Sequence, residues 1–185
     1  MNLPLKLGLI YLVSEVALQY FRRASGQSRR ADGGSFYAIW IAISLGIIGG
    51  ITVTHFLPAY HFALPRAVAQ TLGTVFAAGL ILRWWAIFSL GKFFTVDVAI
   101  ASDHRLVVRG PYHLMRHPSY TGMLLAFAAL AVTFQNWLSL ACILLPIMAA
   151  LAYRIYIEEI ALEATFGDDY RQYAAETKRL IPGVF

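Results

Sequence analysis

The feature that most constrains this chain is its division into long apolar runs, because roughly 20 apolar residues are what a helix needs to cross a bilayer. Five such segments stand out, at residues 3–20, 36–57, 67–90, 120–134 and 138–156. The fourth is short for a crossing. It pairs with the fifth as a tight helical hairpin turning at Gln135-Asn136-Trp137, where two amides and a Trp suit the membrane interface. With 59% hydrophobic and only 14% charged residues, the chain has too little polar surface to coat a water-soluble globule of its size. The expected fold is therefore an all-α integral membrane protein. It has five transmembrane helices, a cytoplasmic loop after the third and an amphipathic C-terminal helix. Residues 1–185 make one membrane domain, with three spans in 1–90 and the loop, hairpin and last helix in 91–185.

A formal charge of +5 invites a nucleic-acid reading, but the basic residues sort by side of the membrane instead. Arg22, Arg23, Arg29 and Arg30 follow the first span, Lys92, Arg105, Arg109 and Arg116 the third, and Arg154, Arg171, Lys178 and Arg179 end or follow the fifth. The opposite side holds only Lys6 and Arg66. By the positive-inside rule the N-terminus lies outside, while the central loop and C-terminal region face the cytoplasm. The same residues would attract anionic lipid headgroups. The single cysteine, Cys142, lies within the fifth span, which excludes a disulfide framework or a cysteine-based metal site. Glu15 interrupts the first apolar run and no small-residue cleavage site follows, so that run reads as a retained span, not a signal peptide.

Within the spans, Gly46, Gly49 and Gly50 permit close helix approach. His55 and His61 sit at the outer turn, away from the basic face. Arg83, followed by Trp84 and Trp85, is the ionisable residue inside the third span. It either faces the bundle interior and contacts substrate, or snorkels toward headgroups. Residues 94–100 read as an extended segment, and residues 158–178 as an amphipathic helix interrupted at Gly167.

The polar residues concentrate in Gly110-Pro111-Tyr112-His113-Leu114-Met115-Arg116-His117-Pro118-Ser119-Tyr120-Thr121-Gly122 and in the end of the fifth span. Hairpin geometry places the start of the fourth span beside that end. His117, Pro118 and Tyr120 should then approach Arg154, Glu158 and Glu159. Arg154 and Glu158, at i and i+4, share a helix face and by themselves would make only a salt bridge. Pro118 suits a helical first turn, which would direct free amides at a cytoplasmic pocket. The outcome is a polar cup where a water-soluble ligand can meet a lipid-soluble one. His104, His113 and His117 have no carboxylate companion at metal-ligand spacing, so no metal is expected.

Arg116-His117-Pro118-Ser119-Tyr120-x-Gly122, preceded by Gly110-Pro111-Tyr112 and followed by Arg154-x-x-x-Glu158-Glu159 and Phe166-Gly167-x-x-Tyr170-x-x-Tyr173, resembles the isoprenylcysteine carboxyl methyltransferase family of membrane enzymes. The resemblance spans residues 93–182. It implies S-adenosyl-L-methionine as cofactor, bound in the cytoplasmic loop by His104, Arg105, Leu106, Val107, Tyr112, His117, Pro118, Ser119 and Tyr120. It further implies an upstream contact near Asp97 and Glu158 on the cofactor's amino group, with Arg154 facing the methyl acceptor. A carboxylate acceptor needs no base, whereas a phenol or enol would need His117, Tyr120 or Glu159 to take its proton. The implied acceptor is a membrane-embedded amphipathic molecule, foremost a prenylcysteine carboxylate. Phenolic lipids, phospholipid amines and thiols are the enzymatic alternatives, and a non-catalytic scaffold or transporter is the rival from another class. No Gly-rich nucleotide loop is present to support a Rossmann-type methyltransferase or a nicotinamide-dependent reductase.

Overall fold

The computed structural model describes residues 2–21, 29–30, 34–93, 99–100 and 105–184. Six helices account for most of them: α1 (Leu3–Phe21), α2 (Ser35–Phe56), α3 (Arg66–Leu90), α4 (Pro118–Val132), α5 (Trp137–Phe166) and α6 (Asp168–Glu176). The extended structure described is a two-residue antiparallel pairing of Arg29–Arg30 with Ala99–Ile100. It ties the first interhelical connection to the central one. Residues 94–98, most of the expected extended segment, lie outside the described residues.

Among the described residues, α2, α3 and α5 are long and apolar enough to cross a membrane. α4 is apolar but has 15 residues, about 22 Å of helix against a hydrocarbon core of about 30 Å. Large apolar side chains such as Leu45, Ile81, Phe88 and Leu145 point outward, each more than 60% exposed. A bilayer gives such an exterior its solvent.

With no hydrophobic driving force between helices inside lipid, small residues decide which backbones approach closely. α3 crosses α4 at Gly79 and Gly122. A Cβ on Gly79 would stand 2.6 Å from the Gly122 carbonyl oxygen, and one on Gly122 would stand 2.7 Å from the Arg83 amide nitrogen. α2 crosses α5 at Gly46 and Gly50, where a Cβ would meet the Cys142 carbonyl at 3.0 Å and Ile143 Cδ1 at 2.9 Å. Phe76, Phe127, Leu130, Ile143, Ile147 and Leu151 fill the space between these two pairs. α1 packs more lightly, its Tyr11 ring 4.5 Å from Phe127.

The hairpin turn falls where the sequence places it. Asn136, fully buried, caps α5 by accepting from the Leu138 and Ser139 amides at 3.0 and 3.1 Å, and donates to the Leu57 carbonyl at 3.1 Å. The last helix differs from expectation. α5 runs unbroken for 30 residues, about 45 Å, so residues 158–166 extend the fifth span. The break comes at Gly167, whose φ of 53° ends the helix, and the separate helix α6 is only nine residues long. Arg154, Glu158 and Glu159 thus ride on a continuous helix leaving the apolar layer.

Beyond α6 the chain returns to the start of α4. The Arg116 amide donates to the Lys178 carbonyl at 2.7 Å, the His117 amide to Arg179 at 2.9 Å, and Thr121 Oγ1 to Leu180 at 2.8 Å. This strap changes one expectation about the helix start. Pro118 does occupy the first turn, but the Tyr120 and Thr121 amides fold back on the His117 carbonyl at 3.0 and 3.1 Å. The row of free amides expected at the pocket is therefore largely spent inside the protein.

Candidate active site

Three polar layers meet where α3 and α5 end and α4 begins. The deepest joins α1, α3 and α4. Arg83 donates through Nε and Nη2 to both Glu15 oxygens, at 2.7 and 2.9 Å, and through Nη1 to Ser119 Oγ at 2.9 Å. The Arg83 and Glu15 side chains are 10% and 11% exposed. Of the two readings of Arg83, the interior one fits: its guanidinium braces the bundle through Glu15 and Ser119 and does not snorkel. Trp84 adds a second tie to α1, donating to Ser14 Oγ at 2.8 Å.

The middle layer centres on Tyr120. Its hydroxyl donates to Glu158 Oε2 at 2.6 Å and accepts from Arg154 Nε at 2.9 Å. Arg154, buried, also donates through Nη1 to Ser35 Oγ at 3.2 Å. The His117 ring stacks on Tyr120 with centroids 5.5 Å apart and 16° between planes. Its Nδ1 lies 3.8 Å from Glu158 Oε2. Among the described residues both Glu158 contacts fall on Oε2, and the side chain is 31% exposed, so a carboxylate oxygen remains for a ligand.

The outer layer is organised by Glu159. Its carboxylate accepts from Arg116 Nε at 3.0 Å and from Arg179 at 2.8 to 3.2 Å, with His117 Nε2 at 3.3 Å. Arg116 also donates to the carbonyls of Ala174 and Thr177. Three cationic or imidazole partners on one carboxylate leave Glu159 poorly placed to take a substrate proton. It fastens the strap to the helix. The Tyr173 hydroxyl donates to the Tyr112 carbonyl at 2.7 Å, and burial pushes the Tyr173 phenol up to about 12. Burial and then the nearby Glu158 charge push the Tyr112 phenol well above its ordinary value. Both stay neutral at any working pH and offer aromatic surface beside the carboxylates.

The structure therefore brings Tyr112, His117, Pro118, Ser119, Tyr120, Arg154, Glu158 and Glu159 into one cluster, and sets Arg83 directly beneath Ser119. Leu106 and Val107 are half-buried and Arg105 is exposed; the described contacts do not link these three to the cluster. Asp97 and His104 lie outside the described residues. The described residues hold no group of three or more potential metal ligands. Sequence reasoning did not assign Arg116, Arg179 or Tyr173 to the site, and it also missed Glu15 and Ser35. Glu15 registered only as a break in an apolar run, yet an acidic residue in one apolar helix and an arginine in another are the signal that could have paired them. Ser35, fully buried at the start of α2, carried no signal.

The helical bundle, its apolar exterior and a charge-paired cluster at one end define a membrane protein with a polar cup. The profile of the isoprenylcysteine carboxyl methyltransferase family matches residues 71–164, about half of the chain. The chain belongs to that family. The match begins inside α3, so the family signature reaches further toward the N-terminus than the motifs alone indicate, and takes in Gly79 and Arg83. Protein-S-isoprenylcysteine O-methyltransferase B of Arabidopsis thaliana is 29% identical over 167 residues, covering 78% of this chain and 85% of that protein. The Schizosaccharomyces pombe protein-S-isoprenylcysteine O-methyltransferase is 28% identical over 183 residues, covering 89% of this chain and 78% of its own. A solved structure of the eukaryotic intramembrane Ras methyltransferase, an isoprenylcysteine carboxyl methyltransferase, superposes with a TM-score of 0.59 at 31% identity. That alignment covers 78% of this chain but 52% of the solved one.

Proposed function

We propose that this chain transfers a methyl group from S-adenosyl-L-methionine to the carboxylate of a prenylcysteine-like acceptor embedded in the membrane. The observation that carries the reading is the Tyr120 bridge, which sets a ligand-accessible carboxylate, Glu158, beside a buried cation, Arg154. A zwitterionic cofactor and an anionic acceptor need such a pair of neighbouring opposite charges. The residues present fit the cofactor. Glu158 keeps an oxygen for an ammonium, and Tyr112, Tyr120 and Tyr173 supply aromatic faces suited to a sulfonium. When bound, the cofactor supplies a methyl group activated by that sulfonium.

The remaining work belongs to the chain. Arg154, always cationic, holds one oxygen of the acceptor carboxylate and aims the other; the acceptor is already ionised and no general base is required. Alignment and exclusion of water supply the rate. In this reading Glu159 is a positioning residue, His117 orients Tyr120 and Glu158, and Arg83 fixes Ser119 and the loop instead of contacting substrate. Arg105, Leu106 and Val107, with His104 and Asp97, complete the cofactor wall. All five apolar segments span, with α1 and the short α4 held against longer neighbours, and the basic cluster faces the cytoplasm. The whole chain is one membrane domain whose second half carries the site, and its partners are lipids and the prenylated acceptor.

Purified protein in detergent should bind S-adenosylhomocysteine, and Glu158→Gln should abolish that binding. Radiolabelled methyl from S-adenosylmethionine should enter farnesylcysteine analogues in preference to phenolic lipids and phosphatidylethanolamine. Label entering only the latter two would refute the carboxylate acceptor, and no binding by the wild type would refute methyl transfer altogether.

A further inference from the structure

Helix pairing leaves a gap on the far side of the bundle from the cup. α2 packs along α5, and α1 packs against α3 and α4, whereas α1 and α2 barely touch. Between them runs a crevice of about 1130 Å³, larger than the roughly 300–1,000 Å³ of a small-molecule pocket. Its walls are Leu5 and Leu9 of α1 with Ile48 and Ile51 of α2, all exposed, and its floor is buried Phe127 and Leu130. Gly8 stands on one wall, with nothing within 4 Å of an added Cβ. From Asn2 to Leu12 the crevice follows α1 for about 15 Å, half of a hydrocarbon core of about 30 Å. Its depth is one leaflet. The mouth is polar: Asn2, His55, His61 and Gln135 line it, drawn together where the Phe62 amide donates to the Gln135 carbonyl at 2.9 Å. Charge at this end has one sign. Exposed Lys6 adjoins Leu5, exposed Arg66 follows two residues after the lining residue Leu64, and residues 2–14, 33–96 and 104–157 contain no Asp or Glu.

We propose that this crevice holds one anionic phospholipid, with its acyl chains between α1 and α2 and its phosphate at the end marked by Lys6 and Arg66. An apolar crevice one leaflet deep, open on the lipid-facing exterior and flanked by two cations without a carboxylate, matches an amphiphile with two chains and a negative head. The occupant supplies the packing that α1 lacks. Toward the cup, α1 is tied by Glu15 to Arg83 and by Ser14 to Trp84. Its other half rests on the bundle through Leu7 and the Tyr11 ring, and the lipid covers the side turned to α2. The pair of Glu15 and Arg83 lies one turn of α1 beyond Tyr11, so it stands between this crevice and the cup. The lipid is a structural partner of α1, distinct from the methyl acceptor.

The test is native mass spectrometry of the full chain released from micelles containing equal amounts of dioleoyl phosphatidylglycerol and dioleoyl phosphatidylcholine. The wild type should retain one phospholipid per chain, with phosphatidylglycerol in at least about fivefold excess, the worth of one cation near a membrane surface. Gly8→Phe puts a ring into the open crevice and should lower the retained lipid at least about tenfold, the effect of removing about 1.4 kcal/mol of binding. Lys6→Gln combined with Arg66→Gln should keep one lipid but bring the two headgroups to near parity. Should Gly8→Phe fail to fold, Ser44→Phe fills the crevice from the α2 wall, where Ser44 is exposed, and should lose the lipid likewise. Undiminished lipid in a folded Gly8 or Ser44 variant overturns the site. Equal retention of both headgroups by the wild type, or an unchanged preference in the double variant, overturns the placement of the phosphate. One-for-one displacement of the retained lipid by N-acetyl-S-farnesylcysteine gives the crevice to the chain of the acceptor and overturns the proposal as well.

Discussion

Removing Glu15 should destabilise this protein more than any single change at the rim of the site. Glu15 and Arg83 make two charge-assisted bonds at 2.7 and 2.9 Å with both side chains about nine-tenths buried. Truncating one partner strands the other as a buried, uncompensated charge, which costs about 3–5 kcal/mol. Glu15→Ala should fall in that range. Arg83→Ala should cost about 1 kcal/mol more, since it also strands Ser119, whose hydroxyl and carbonyl both receive Arg83. The double variant should cost far less than the sum, leaving a coupling energy of about 2–3 kcal/mol. Replacement of both residues by Met should come within about 1 kcal/mol of the wild type, because a packed apolar pair repays the desolvation of a buried ion pair. The assay is a double-mutant cycle by reversible SDS-induced unfolding in mixed micelles. Additivity of the single variants within about 0.5 kcal/mol would refute the reasoning, since an isolated buried pair cannot be additive.

Gly79→Ala should lower stability by roughly 1–3 kcal/mol through overpacking against the Gly122 carbonyl, whereas Gly73→Ala, with nothing within 4 Å of its new Cβ, should be neutral or slightly stabilising in the same unfolding titration. Glu159→Gln should release the strap, and limited proteolysis should then cut after residue 168 at least several-fold faster, with S-adenosylhomocysteine binding weakened but not abolished; unchanged cleavage would remove Glu159 from its fastening role. Arg154→Ala should keep S-adenosylhomocysteine affinity within about threefold and lose at least a hundredfold in methyl transfer, the scale of one lost transition-state contact; retained turnover would take the acceptor away from Arg154.

Much of this architecture is written in local signals. Apolar length marks the helices, Asn136 marks the hairpin, and antiparallel pairing brings residues 117–120 to 154–159 without further information. What escaped the sequence depends on partners far apart along it. The Glu15 to Arg83 pair spans 68 positions, and nothing local distinguishes a glutamate that interrupts an apolar run from one that neutralises a distant arginine. Glu159 reads as a base by its place in a motif, and only the arrival of Arg116 and Arg179 from other segments turns it into an anchor. Pro182 and Gly183 signal a break in the helical pattern, but residues 177–180 before them carry no trace of their partners at 115–117. The end of the fifth span was misjudged because residues 158–166 carry both an amphipathic pattern and good helix formers; the break waits for the one residue, Gly167, that adopts a positive φ at no cost.

The return of residues 178–180 to the lip of α4 fixes when the outer layer of the cup can form. Helices entering a membrane during synthesis do so in chain order, and the earlier ones can pack while later residues are still being made. Here Arg116 and His117 cannot find their carbonyl partners, nor Glu159 its second arginine, until Leu180 has left the ribosome. The bundle can therefore be inserted and largely packed, with Tyr120 already between Glu158 and Arg154, before the strap closes over the outer layer of the site.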